Sequence, residues 1–172
     1  NAPDLARRVA DAGAAAVAVH GRTAAQSYSG ESDWQLIGRV AEAVSIPVFG
    51  SGDCVEPSQI VERLRDTPVA GILVGRGALR NPWIFSQAAA LAAGQNVPTV
   101  VPRELKGQFL LDYIDLLLGE RVGEADGFRH SAPGHEGNRP PARGRERWVI
   151  NKVRALGSWY TKGLDGGAQL RV

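Results

Sequence analysis

The sequence predicts an α/β fold built on a parallel sheet. Two observations carry that expectation. Helical and strand patterns alternate as αβ-αβ-αβ-α through the first 93 residues, and the strand patterns are short and continuously apolar, with little in-out alternation. A third narrows it. Each strand ends abruptly in a polar, glycine-bearing turn, the arrangement that gathers ligand groups at the carboxyl end of a parallel sheet. Either a (β/α)8 barrel or a doubly wound sheet accommodates three such units. Three strands cannot close a barrel, so a barrel requires further units outside residues 1–172.

In chain order, Pro3 and Asp4 open a helix over 3–12 that carries Leu5, Val9 and Ala12 on one face and stops at Gly13. AAAVAVH (14–20) is the first strand, and residues 21–32 form a loop with turn chemistry at Ser29-Gly30. A helix from Ser32 or Asp33 to Val44 presents Trp34, Ile37, Val40 and Ala41, and IPVFG (46–50) follows as the second strand. Pro57 opens a helix with Ile60, Val61 and Leu64. The third strand runs through VAGILV (69–74), and a last helix extends from about Asn81 to Ala93.

After Gly94 the character changes. Residues 97–102 read as a proline-bearing linker. Residues 104–118 read as an amphipathic helix (Leu105, Phe109, Leu110, Tyr113, Ile114, Leu117). The segment 119–144 is rich in Gly, Pro, Arg and His and reads as a loop or disordered insertion. A basic helix follows over 145–163 with Trp148, Val149, Val153, Leu156, Trp159 and Tyr160. The expected division is therefore a barrel portion over 1–95 and a small all-α helical domain over 96–172.

Composition excludes several classes. Hydrophobic residues make up 44% of the chain, enough for a packed core. One cysteine cannot build a disulfide framework or a multi-cysteine metal centre, which fits a reducing cytoplasm. His130 and His135 are too few for a metal site. No apolar run approaches the roughly 20 residues that span a bilayer. The chain lacks methionine and opens at Asn1 in mid-pattern, so it is expected to be part of a longer product.

Charge is uneven. Residues 1–100 hold 8 Lys/Arg against 9 Asp/Glu, whereas 101–172 hold 12 against 9. From Arg139 to Lys162, seven basic residues meet one acid, Glu146. Such a run is either a solvated helix face or an anion-binding surface for RNA.

Three polar clusters occupy corresponding places: His20-Gly21-Arg22-Thr23, Gly50-Ser51-Gly52-Asp53 and Gly75-Arg76-Gly77. Their recurrence at successive strand ends points to one shared ligand site. Glycine at 52 and 75 lets backbone N–H groups approach a phosphate, and Arg76 adds charge. His20 can donate to a ring atom of the same ligand. Arg22 serves either the ligand or a loop salt bridge, with Asp33 a candidate partner. Cys54, one residue past the glycine turn and with no histidine beside it in sequence, reads as a small apolar filler rather than a nucleophile.

GAAAVAVHGRTAAQSYSGESDW, SIPVFGSGD and GILVGRGALRNPWIF together resemble the flavin-dependent tRNA-dihydrouridine synthases, close to their bacterial type B branch. The resemblance is dense over about 3–93 and continues through the basic NKVRALGSWYTKGL segment, which resembles that family's RNA-binding helical domain. It implies an N-terminal FMN-binding (β/α)8 barrel, a cytoplasmic and monomeric enzyme without metal, and reduction of the C5–C6 double bond of uridines in tRNA, with NADPH reducing the flavin. Carried onto this sequence, His20 would contact the flavin, and Ser51, Gly52, Asp53, Gly75 and Arg76 would line its phosphate end. The family has asparagine where Ser51 stands, and a hydroxyl makes a shorter contact.

Arg22, Arg143, Arg145, Arg147, Lys152, Arg154 and Lys162 would be the RNA contacts. The family's proton-donating cysteine and flavin-contacting lysine are expected upstream of Asn1, which would leave this chain alone inactive and a poor holder of FMN. Two other readings stand beside this one. One is an FMN barrel of the dihydroorotate or dihydropyrimidine dehydrogenase type. The other is a non-catalytic RNA-binding remnant.

Overall fold

Parallel pairing dominates the first half of the chain. The computed structural model describes residues 1–27, 29–98, 100–119, 145–161 and 169. These fall in two compact units, Asn1–Val97 and Pro98–Val172. In the first, strands β1 (Val17–His20), β2 (Val48–Ser51) and β3 (Gly71–Leu73) form a sheet in the order β1-β2-β3. Helices α1 (Ala2–Asp11), α2 (Trp34–Ala43), α3 (Pro57–Asp66), α4 (Arg76–Arg80) and α5 (Ile84–Ala92) alternate with them.

Sequential order is compatible with both topologies that the sequence allowed. Consecutive right-handed crossovers between neighbouring parallel strands set every helix on the same face. A doubly wound sheet must reverse its strand order to cover the second face. Within either half of such a sheet the order is sequential, as it is among the three strands here. Register pairs Val17 with Val48, and Val19 with Gly50 and Ile72, on the face that meets the helices. The other face carries two rows, Ala18–Phe49–Gly71 and, nearer the strand ends, His20–Ser51–Leu73. Ala18, His20 and Leu73 on that face are exposed. A parallel sheet with helices on one side is the construction of a barrel wall and equally of one half of a doubly wound sheet.

The core lies between sheet and helices. Ile37 and Ile84, both 0% exposed, pack with Trp34, Cys54, Ile60 and Ala88 against Val19, Val69 and Ile72. Each fully buried aliphatic side chain contributes about 1.5–3 kcal/mol. The approach of α1 differs from the apolar stripe that the sequence suggests. Ala2 and Ala6 pack against Val40 and Val48, while Leu5, 60% exposed, and Val9 remain on the surface. Small residues permit the close helix approach, and this rotates the longer side chains outward.

Local sequence explains most boundaries. Asp33 caps α2 by accepting from the Leu36 N–H at 2.7 Å. Pro57 begins α3, and the Gln59 side chain accepts from the backbone N–H groups of Val55 and Glu56 at 2.8 and 3.0 Å. The segment after β3 departs from expectation. In place of a glycine turn running on to Asn81, a one-turn helix starts at Arg76, and α5 begins only at Ile84. Gly77 is the reason. A Cβ there would stand 2.2 Å from the Cys54 carbonyl oxygen, so the first turn of α4 is pressed onto the β2 exit loop. Asn81 then restarts the chain, accepting from the Trp83 N–H and donating to Gln87 Oε1 at 2.6 Å.

In the second unit, α6 (Arg103–Gly119) and α7 (Arg145–Tyr160) pack through aromatic residues. The rings of Phe109 and Tyr160 meet edge to face at 5.7 Å, with Tyr113 stacked on Phe109 at 6.2 Å. Leu117, Val149 and Tyr160 are buried, and burial pushes the Tyr160 hydroxyl up to about 12. Leu105, expected on the packed face of α6, is exposed. The 119–144 insertion lies outside the described residues beyond Gly119. None of the described helices is long and apolar enough to cross a membrane.

Two alanine substitutions test this packing in opposite directions. Gly77→Ala forces the Cys54 loop away and lowers stability by about 1–3 kcal/mol. Gly107→Ala, on α6 where an added Cβ meets nothing, is neutral or gains up to about 1 kcal/mol. Urea midpoints of the two variants check this; equal midpoints would contradict the close approach.

Candidate functional site

The three strand-exit clusters come together around one carboxylate. Asp53, in the exit of β2, accepts a two-pronged bond from Arg22 in the exit of β1: Nη1 to Oδ1 at 2.9 Å and Nη2 to Oδ2 at 2.6 Å. Arg76, at the start of α4, donates from Nη2 to Oδ1 at 3.1 Å. The Ser32 backbone N–H and hydroxyl donate to Oδ2 at 3.1 and 3.0 Å. Charge-assisted bonds of this kind are the strong ones, and the bidentate arginine adds geometric specificity.

Burial and charge follow from these contacts. The Arg22 side chain is only 4% exposed, and it also donates from Nε to the Ser29 carbonyl and from Nη2 to the Gly30 carbonyl. The β1 exit loop is thus wrapped over its guanidinium, with Gly30 supplying the left-handed turn at φ 64°. Asp53 is 34% exposed and Arg76 43%. Hydrogen bonding from Arg22, reinforced by Ser32, holds the Asp53 carboxyl down to about 2.

The glycines of the cluster play different parts from one another. A Cβ on Gly52 would stand 2.6 Å from Ser32 Oγ and 2.9 Å from Trp34 Nε1, and one on Gly21 would stand 2.9 Å from the Asp33 nitrogen. Both are packed under the segment 32–34 instead of lining an open cradle. The Asp53 N–H is itself used, donating to Ser32 Oγ at 2.8 Å. On the Cβ side of Gly52, Ser32 and Trp34 already fill the space. Gly75 is the open one, with nothing within 4 Å of an added Cβ, and exposed Arg76 adjoins it.

Placement of the other candidates is equally specific. His20 is exposed and shares the last row of the open sheet face with half-buried Ser51. Arg22 is a loop salt bridge, and its partner is Asp53; Asp33 is occupied as the cap of α2 and lies 4.0 Å from Arg39. Its donors serve Asp53 and two loop carbonyls, which sets it apart from the exposed cations expected to meet RNA. Cys54 is buried in the core, and burial pushes its thiol up. Lys152 and Arg154 lie exposed on α7. Arg145 and Arg147 belong to that helix but their side chains fall outside the described set, as do Arg143 and Lys162 altogether.

Sequence reasoning missed Ser32. A serine in a polar loop gives no signal, and its part shows only when the β1 and β2 exits meet. It also missed the uncapped indole. Trp34 Nε1 is buried with no partner, beside Gly52, while Arg63 lies 5.1 Å over the ring.

A parallel sheet with helices on one face and an arginine–carboxylate cluster at its strand exits defines the class: an α/β protein whose polar groups gather at the carboxyl ends of its strands. The family profile of dihydrouridine synthase (Dus) matches residues 1–157, and the chain belongs to that family. It is 39% identical to "tRNA-dihydrouridine synthase B" of Pseudomonas putida over 173 residues, covering 100% of this chain and 44% of that protein. It is 34% identical to a "Probable tRNA-dihydrouridine synthase" of Mycobacterium tuberculosis over 168 residues, 96% of this chain and 37% of the relative. A protein of Rickettsia bellii with the same description is 34% identical across 99% of this chain and 45% of its own length. The chain thus spans less than half the length of these relatives.

The Asp53 cluster sets an acid limit. The folded carboxyl titrates near 2 against an ordinary value of 3.8, so its stabilisation is fully present above pH 4 and is lost as pH falls through 4 towards 2. Allowing for partial exposure, about 1–2 kcal/mol is at stake. Asp53→Asn lowers stability at pH 7 and flattens the profile between pH 4 and 2. Thermal unfolding across that range checks it; a variant with the parent's acid slope would contradict the assignment.

Proposed function

We propose that this chain supplies the phosphate side of the FMN-binding barrel of a tRNA-dihydrouridine synthase, with 1–95 as its last three β/α units and 96–172 as an RNA-binding helical domain. The whole protein would reduce the C5–C6 double bond of uridine in tRNA, with NADPH as electron donor, in the cytoplasm. The observation that carries this reading is the family match, which runs through all three strand exits and on into α7.

The residues fit the phosphate of FMN. Gly75 offers open space, and the exposed guanidinium of Arg76 stands beside it. Arg76 would bind the phosphate, and Gly75 would let it approach the backbone. His20, on the open face of the sheet, would contact the flavin, and Ser51 beside it in the last row would line the phosphate end. Asp53 and Gly52 would complete the cofactor end from behind, through packing and charge. FMN, when bound, supplies the hydride chemistry. Cys54, the sole cysteine of the sequence, is buried in the helix-facing core and takes no part as proton donor.

A uridine in folded tRNA must leave its stack to be reached, so the protein has to hold the surrounding backbone. Exposed Lys152 and Arg154 on α7 would contact phosphates, joined by Arg143, Arg145, Arg147 and Lys162 of the same basic stretch. Phosphate contacts position the RNA without reading its sequence.

Two measurements test the reading. Deleting the gene removes dihydrouridine from the affected tRNAs and complementation restores it; unchanged dihydrouridine content would reject the activity. For the RNA surface, Lys152→Ala with Arg154→Ala lowers the slope of log affinity for tRNA against log salt by about one to two. An unchanged slope would move the RNA surface off α7.

A further inference from the structure

The geometry points to Leu73 and Phe49 as an apolar shelf for the dimethylbenzene end of the flavin ring, with His20 meeting the polar end across the sheet. This rests on the FMN reading above and gives the open sheet face a ring contact separate from the phosphate contacts at the strand exits.

The shelf starts from a glycine. On the face away from the helices, β3 carries Gly71 and then Leu73. A Cβ on Gly71 would stand 2.9 Å from Phe49 Cδ1 and 3.1 Å from Cε1, so the phenyl ring of β2 lies across the place where β3 has no side chain. A ring laid over a glycine gives a flat apolar floor in the row below the strand ends. Leu73 stands above it in the last row, 45% exposed, although its neighbours in that row, Ser51 and His20, are polar. A planar apolar ligand resting there recovers the hydrophobic free energy that the open leucine forgoes. Apolar lining with a few placed polar groups is also the usual make-up of a cofactor pocket.

Breadth and polarity match the ring. Neighbouring strands stand about 4.8 Å apart, so β1 and β3 are separated by about 10 Å, roughly the span of three fused rings. A flavin ring is polar at its pyrimidine end and carries two methyl groups at the other. His20 on β1 offers an imidazole nitrogen to the polar end. Leu73 on β3, above the Phe49 floor, meets the methyl groups. Ser51, on the strand between them, is left to the side that leads to the phosphate.

The test uses three flavins, titrated into the full gene product by flavin fluorescence: FMN, riboflavin, which lacks the phosphate, and 7,8-didemethyl-FMN, which lacks the ring methyl groups. The parent prefers FMN over the didemethyl analogue about tenfold, the scale of burying two methyl groups. Leu73→Ala lowers that preference to about threefold or less and leaves the preference for FMN over riboflavin unchanged. Leu73→Met, of similar volume, keeps both preferences. Leu73→Val gives a smaller loss in the same direction and serves if the alanine variant fails to fold.

A Leu73 that merely packs against other side chains would weaken all three flavins equally, and that result overturns the inference. So does a fall in the preference for FMN over riboflavin alone, which would mean that position 73 acts through the phosphate loop two residues on. A parent that binds FMN but does not distinguish it from the didemethyl analogue overturns the shelf and leaves the FMN reading standing. A parent that binds no FMN rejects that reading, and this inference with it.

Discussion

The carboxylate of Asp53 is the point on which the strand exits depend. Two segments far from it in sequence reach it: the loop from β1 to α2, through Arg22 at one end and Ser32 at the other, and the start of α4 through Arg76. Loops at the end of a parallel sheet have no ladder to hold them, so something else must fix their geometry. Here that is a single ionised group with five donors at 2.6–3.1 Å. Leaving Arg22 without it would strand a nearly buried guanidinium.

Glycine packing supports the same construction from beneath. Gly50 and Gly52 bring β2 and its exit against Trp34 and Ser32, and Gly77 lets α4 rest on the carbonyl of Cys54. These close approaches draw the tops of α2 and α4 onto the β2 exit, which sets where Ser32 and Arg76 emerge. The core of Ile37, Ile60 and Ile84 lies directly below. Site and core are one piece of packing, with polar chemistry where the strands run out.

That arrangement separates two tasks within one cluster. Arg22 and Ser32 face inward and build the loops. Gly75 and Arg76 face solvent and are suited to a ligand. The open face of the sheet, with His20 and Ser51 in its last row, continues from that outer side. Such a division lets the scaffold be rigid while the outer groups stay accessible.

Much of this was legible in the sequence, for reasons that are local. Alternation of helix and strand, the proline and aspartate starts of α1–α3 and the polar strand exits depend on residues near one another, and the three exit motifs carried the family resemblance. What only the tertiary structure decided depends on residues far apart. Strand order and register were set only once the three strands paired. The partner of Arg22 proved to be Asp53, 31 residues away, and not the nearer Asp33, which its own helix terminus had claimed. Gly52 looked like Gly75 in sequence and differed only in what stood next to it. A motif fixes which groups are present at a strand end. Which of them face one another, and which are left to face a ligand, is set by packing between loops that the chain brings together only on folding.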